Sequence, residues 1–256
     1  MKNYKIVLLC RNGLSSNVVF NSINANFGVH TAIVEEPISK KVLIAKRIKR
    51  LGLVKVIGQL LFQILISPLL AFFSKRRCDE IILLNKLNTN PIPKDKIKKV
   101  SSINDSQTIR LLQNINPDLI IVNGTRIISK RVLESVHCKF INTHAGITPK
   151  YRGVHGTYWA LVNNDIQNSG VTVHFVDKGI DTGEVIYQAT VSHTGKDNFS
   201  TYPLLQLAEG IKILNQAILD YCDNNIQIIY PQLDSHLWYH PTIFEYFYFR
   251  LKRSVK

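Results

Sequence analysis

The spacing of apolar positions changes several times along the chain, and each change marks an element. Residues 4–9 form a nearly unbroken apolar run, which predicts a first strand. The stretch Arg11-Asn12-Gly13-Leu14-Ser15-Ser16 follows, and a helix is expected from about Ser16. A strand over residues 30–34 would complete a βαβ unit, and the apolar run 81–84 reads as a further short strand. Residues 105–114 carry Ile109, Leu111 and Leu112 at helical spacing. Residues 119–122 follow Pro117-Asp118 as a strand buried on both faces, and Phe140, Ile141 and Asn142 end another. In residues 170–176, Val171, Val173 and Phe175 alternate with Thr172, His174 and Val176, and a partner strand is expected over 184–191. Residues 204–221 place Leu205, Ala208, Ile211, Ile213, Leu214, Ala217 and Ile218 on or near one helical face that is expected to pack back on the sheet. Strands alternating with helices predict an α/β, Rossmann-like fold, with a mostly parallel sheet and flanking helices.

Residues 40–77 break this rhythm. Six basic residues between Lys40 and Arg50 precede an apolar stretch over 51–73, and Lys75, Arg76 and Arg77 follow it. The stretch has the length of a transmembrane span, but Lys55, Gln59, Gln63 and Pro68 interrupt it, and it lies between strands of one sheet. It therefore reads as a basic amphipathic helical insertion. Two roles stay open: lying on an anionic membrane surface, or packing on the domain or in a homodimer interface. The aromatic and basic segment 238–252 is open to the same two readings, as part of that surface or as a short C-terminal extension docked by its aromatics. The expected organisation is a catalytic domain over residues 1–200 and a C-terminal helix and tail over 201–256.

Composition narrows the class. The chain has 256 residues, 45% of them apolar, which supports a full core and argues against disorder. Cys10, Cys78, Cys138 and Cys222 are scattered without a Cys-x-x-Cys pair, which argues against zinc ligation and a disulfide framework and for a reducing cytoplasm. Residues 1–10 lack the pattern of a signal peptide. The net charge of +14 calls for an anionic partner, whether nucleic acid, a phosphorylated small molecule or a membrane.

The candidate chemistry lies where ligands bind in such sheets, beyond the carboxyl ends of the strands. Asn142 and His144 share one strand face, and Pro149 and Gly153 break the chain into a loop after them. Asp181 follows on a glycine-flanked turn. An amide donor, an imidazole and a carboxylate suit acyl transfer without a metal: a donor for a developing oxyanion, a group to handle protons, and an acid to tune that group. Gly13 and the serines after it can present backbone N–H groups to an anion, so Arg11, Asn12 and Gly13 are candidate substrate contacts.

These residues resemble the folate-dependent formyltransferase family. The family pattern is Asn-x-His, a Tyr-Arg-Gly loop, Gly-Val-Thr-x-His and Asp-x-Gly. Here it falls on Asn142 and His144, on Tyr151, Arg152 and Gly153, on residues 170–174, and on residues 181–183, within a similarity running over about 117–188. The resemblance implies 10-formyltetrahydrofolate as formyl donor, held by Gly124, Thr125, Arg126, Ile127 and Ile128 and by Val176, Asp177, Gly179 and Ile180. It implies Asn142, His144 and Asp181 as catalytic residues.

For the acceptor, the family includes enzymes acting on glycinamide ribonucleotide, methionyl-tRNA and nucleotide-linked amino sugars. The wording of residues 144–156 resembles formyltransferases of surface polysaccharide (O-antigen, lipopolysaccharide) synthesis, so a nucleotide-linked amino sugar is the expected acceptor. Arg152, His155 and Tyr158 are candidate substrate contacts beside Tyr151 and Gly153. Nucleic acid is disfavoured, because no recognisable RNA-binding module or second barrel is evident. The expected place is the cytoplasm, at the inner face of the membrane if the insertion docks there. The rival reading is a membrane-docking binding protein with an inactive formyltransferase fold.

Overall fold

A computed structural model describes residues 4–256. Residues 1–3, the start of the run weighed against a signal peptide, lie outside the described residues. In chain order the strands are β1 (Ile6–Arg11), β2 (Thr31–Glu35), β3 (Ile97–Val100), β4 (Leu119–Asn123), β5 (Lys139–His144), β6 (Arg152–Gly153), β7 (Gly170–Phe175), β8 (Val185–Thr190) and β9 (Leu237–Trp238). Seven of them form one sheet in the order β3-β2-β1-β4-β5-β7-β8, and β6 pairs with β9. The sheet is parallel from β3 to β5, whereas β7 runs antiparallel to β5 and to β8.

The helices are α1 (Leu14–Asn26), α2 (Lys40–Leu51), α3 (Leu53–Leu61), α4 (Ser67–Leu84), α5 (Ser106–Ile115), α6 (Lys130–Leu133), α7 (Gly156–Val162), α8 (Tyr202–Cys222) and α9 (Ile243–Arg253). Strand alternation splits the core. Ile6, Leu8 and Cys10 of β1 pack under α1 and α8, and Val7 and Leu9 pack under α5 and α6. Asp105 caps α5 by accepting from the Thr108 N–H at 2.8 Å.

One strand expectation changes, and one strand was not foreseen. Residues 81–84 are the last turn of α4, not a strand. An apolar run of four does not distinguish strand from helix, and here only Ile81 is buried while Leu83 and Leu84 are exposed. One edge of the sheet is instead β3, whose two central lysines protect it against edge pairing and remove the apolar signal.

The insertion forms the crossover between β2 and β3. A π-helical turn over Phe62–Ile66 joins α3 to α4, giving a continuous helix over Leu53–Leu84. By length and composition alone it could cross a membrane. It packs lengthwise against α8 and α9. Phe62 enters a third core with Tyr158, Phe199, Tyr202 and Tyr246, so α9 is docked by its aromatics.

Candidate active site

Asn142 and His144 sit at the carboxyl end of β5, the last parallel strand, where β7 begins the antiparallel part of the sheet. Register places Asn142 opposite His174. The His174 Nδ1 lies 2.7 Å from the Phe175 carbonyl, so Nδ1 carries the hydrogen and Nε2 is left as an acceptor. The Asn142 amide nitrogen donates to that Nε2 at 3.1 Å, which fixes the amide's orientation. Burial holds His174 below the usual histidine range, partly offset by the Phe175 carbonyl and by Asp181. A neutral His174 is the form this network needs.

His144 is buried and both its ring nitrogens face oxygen. Its Nε2 donates to the Tyr151 carbonyl at 2.7 Å, and its Nδ1 lies 3.3 Å from Asp181 Oδ2. The same Oδ2 accepts from the Gly153 N–H at 3.0 Å. Asp181 adopts the left-handed conformation (φ 52°), which aspartate tolerates better than most residues. Its other oxygen, Oδ1, is 3.8 Å from His174 Nε2, which is already occupied as an acceptor. Oδ1 thus receives no hydrogen bond among the described residues.

Two glycines make this geometry attainable. Gly153 has φ 96°, and a Cβ there would lie 2.3 Å from the Trp238 carbonyl oxygen. At Gly146 a Cβ would lie 2.2 Å from the Tyr151 carbonyl oxygen and 2.8 Å from His144 Nε2. Only glycine leaves the His144–Tyr151 bond intact.

A cleft of about 480 Å³ opens over these groups. Residues 124–128 form one wall and Val176, Asp177, Gly179 and Ile180 another, with Asn142, His144 and Asp181 at the base. Asp177 shapes its loop by accepting from the Gly179 N–H and the Thr182 hydroxyl. Buried Glu35 shapes the other wall, accepting from the Arg126 N–H at 2.7 Å and pairing with the Arg126 guanidinium. That guanidinium also reaches the carbonyls of Glu36 and Ser101. Arg126 therefore offers the cleft its main chain, not its charge, and Ile128 is largely buried in the core.

The expected substrate contacts divide. Gly153 and His155 line the cleft. His155 Nε2 lies 2.8 Å from His240 Nδ1, and burial holds both rings below the usual histidine range, His240 at about 4. Tyr151 and Tyr158 are corrections: both side chains are buried in the third core. The Tyr151 hydroxyl donates to Asp165 at 2.8 Å, so only its carbonyl serves the site. Tyr158 packs against Phe199 and Tyr246. Arg152 donates to the Ile180 carbonyl at 3.3 Å and ties down the Asp181 loop; it does not line the cleft. Arg11, Asn12 and Gly13 lie at the carboxyl end of β1, outside the cleft lining, with Arg11 turned toward Glu35. The sequence reading assigned no role to His174 or to Gln206 of α8, which also lines the cleft. The Gly-Val-Thr-x-His motif contained His174, but its role depends on cross-strand register.

The fold and site define an α/β protein with an acyl-transfer arrangement at the end of its parallel sheet. A model of the formyl transferase domain matches residues 78–218, more than half of the chain, and the chain belongs to that family. Among curated proteins it is 34% identical over 121 residues to a methionyl-tRNA formyltransferase of Finegoldia magna, covering 47% of this chain and 39% of that one. A methionyl-tRNA formyltransferase of Thermodesulfovibrio yellowstonii is 37% identical over 116 residues, covering 45% and 36%. The chain thus spans under two fifths of the length of these two relatives.

Among solved structures, glycinamide ribonucleotide transformylase 1 from Symbiobacterium toebii aligns with a TM-score of 0.57 at 18% identity, covering 93% of this chain and 96% of that one. An N-formyltransferase from Helicobacter canadensis, solved with folinic acid and dTDP-3-aminofucose, aligns with a TM-score of 0.55 at 18% identity, covering 92% and 70%. At these identities the likeness shows the fold.

Proposed function

We propose that this protein is a folate-dependent N-formyltransferase whose acceptor is the amine of a nucleotide-linked amino sugar. The observation that carries the chemistry is the oriented set Asn142, His174, His144 and Asp181 at the base of the cleft. The cleft suits 10-formyltetrahydrofolate in size, and its walls 124–128 and 176–180 offer apolar side chains and main-chain polar groups for a flat heterocycle. When bound, that donor supplies an activated formyl group.

The residues then divide the work. Asn142 spends one amide N–H on His174 and keeps the second for the formyl oxygen as negative charge develops there. Carried as an imidazolium, His144 would donate Nε2–H to the Tyr151 carbonyl and hold Nδ1 3.3 Å from Asp181 Oδ2, which lends positive charge beside Asn142. Asp181 Oδ1, which receives no hydrogen bond among the described residues, takes the proton lost by the attacking amine, directly or through water.

The sugar acceptor is supported by the motif wording around His144 and by the family neighbour solved with dTDP-3-aminofucose. A second reading, methionyl-tRNA as acceptor, is favoured by the identity of the curated relatives. The test is release of tetrahydrofolate from 10-formyltetrahydrofolate with dTDP-, UDP- and GDP-linked amino sugars, glycinamide ribonucleotide and methionyl-tRNA. Turnover with one sugar nucleotide supports the proposal. Turnover confined to methionyl-tRNA or glycinamide ribonucleotide overturns the acceptor and keeps the chemistry. Folate binding without any turnover overturns the enzyme reading for these acceptors.

A further inference from the structure

The helix Leu53–Leu84 takes no part in the cleft, yet it carries about half of the exposed large hydrophobic side chains among the described residues. Its inner side is specified by polar bonds. Gln59 Nε2 donates to the His240 carbonyl at 2.7 Å, Asn198 donates to the Ser74 hydroxyl at 2.7 Å, and Arg77 pairs with Asp197 at 2.9 and 3.1 Å. Val56, Phe62 and Ile81 bury the apolar part of that side. These contacts recur at helical spacing, so the opposite side faces away from the domain.

That outer side is apolar. Val54, Ile64, Leu69, Phe72 and Phe73 are 84, 66, 54, 75 and 78% exposed. A helix that only covered a soluble domain would put polar residues there. Beside it, α9 packs on α3 and exposes Phe244 and Leu251.

Charge surrounds the apolar surface. Residues 40–77 hold ten of the chain's thirty-two Lys and Arg and none of its eighteen Asp and Glu, so most of the net charge of +14 resides there. Helix α2, packed against α3, has six basic residues and no buried one. A second copy of this chain would bring the same positive charge against itself, which disfavours a symmetric dimer on this face. An anionic bilayer complements both the charge and the apolar crest.

We propose that α2, α3 and α4 form an in-plane anchor for an anionic membrane, with the outer side of Leu53–Leu84 entering the boundary between headgroups and acyl chains. The helix lies flat and does not span. Spanning would break the bonds at Gln59, Ser74 and Arg77, and both ends of the insertion return to adjacent strands of one sheet. This inference does not depend on the formyl-transfer reading.

Flotation of the full-length protein with vesicles tests it, using phosphatidylcholine alone or mixed with phosphatidylglycerol. Expected is flotation with the mixed vesicles and little with phosphatidylcholine alone. Phe72→Asp/Phe73→Asp should lower partitioning at least about tenfold without shifting the unfolding midpoint. Lys46→Gln/Lys49→Gln should lower it roughly 30-fold, since each charge near an anionic surface is worth about fivefold. No flotation of the folded wild type overturns the proposal, as does undiminished flotation of the Phe72→Asp/Phe73→Asp variant. Equal flotation with both vesicle types overturns the charge argument. Self-association abolished by that variant, in a protein that does not float, would assign the face to a second copy instead.

Discussion

Asp181→Asn isolates charge from shape at the base of the cleft. Asparagine keeps the size of the side chain and an oxygen for the Gly153 N–H, which the wild-type Oδ2 accepts at 3.0 Å. What it removes is the negative charge 3.3 Å from His144 Nδ1 and the proton acceptor at Oδ1. At an effective dielectric of about 20, unit charges at that separation interact by about 5 kcal/mol. The remaining amide dipole and solvent reorganisation offset part of this, which leaves a net loss of about 3 kcal/mol, roughly a hundredfold in kcat. The loss should fall on kcat, because neither change touches the walls assigned to the donor. The assay is steady-state release of tetrahydrofolate with the acceptor found in the panel, alongside a fluorescence titration of folate binding. A loss under tenfold, or one confined to KM with weakened folate binding, would refute the role given to the carboxylate.

Further outcomes follow from other contacts. Asn142→Ala should lower kcat by about 10²- to 10³-fold with donor affinity retained, read in the same assay. Gly146→Ala forces a Cβ to within 2.2 Å of the Tyr151 carbonyl oxygen and should abolish turnover and destabilise the fold by about 2 kcal/mol or more, read by thermal unfolding. Arg77→Leu leaves the fully buried Asp197 side chain without its guanidinium partner and should cost about 3–5 kcal/mol in urea denaturation. His240 titrates at about 4 in the native state because burial disfavours its charged form, against about 6.5 when unfolded, so the unfolded chain binds the proton first as pH falls. Native stability should therefore drop by up to about 3 kcal/mol between pH 6.5 and 4 from this group, and His240→Asn should flatten that part of the stability profile.

Much of this was legible in the sequence because the signal was local. The apolar runs of β1 and β4 are short and bounded by polar residues and turns, which marks them as strands buried on both faces, and β7 shows itself by alternation. Asn142 and His144 share a strand face, so their common site follows from alternation. What failed was what depends on partners far along the chain. Tyr151 and Tyr158 look like cleft residues because they flank a catalytic loop, but their rings turn into a core built from the insertion, α8 and α9. Arg126 is assigned to the donor by the resemblance, but the sequence does not show that Glu35, ninety-one positions earlier, holds its guanidinium and leaves its main chain to the cleft. His174 was visible as a motif letter, and its task appeared only with the register that sets it against Asn142.

The insertion shows how a parallel sheet accommodates a second surface. A parallel pair such as β2 and β3 needs a crossover connection, and a crossover helix normally buries its apolar stripe on the sheet. Here the return segment meets α1, where Asn17 and Asn21 bond the carbonyls of residues 88–90. The helix before it instead lies against α8 and α9, outside the first helical layer. Its inner side needs only a narrow contact, supplied by Gln59, Phe62, Ser74 and Arg77. The opposite side is freed from packing, and its composition there, aromatic and aliphatic with lysine and arginine at the margins, is the one the proposed membrane anchor requires.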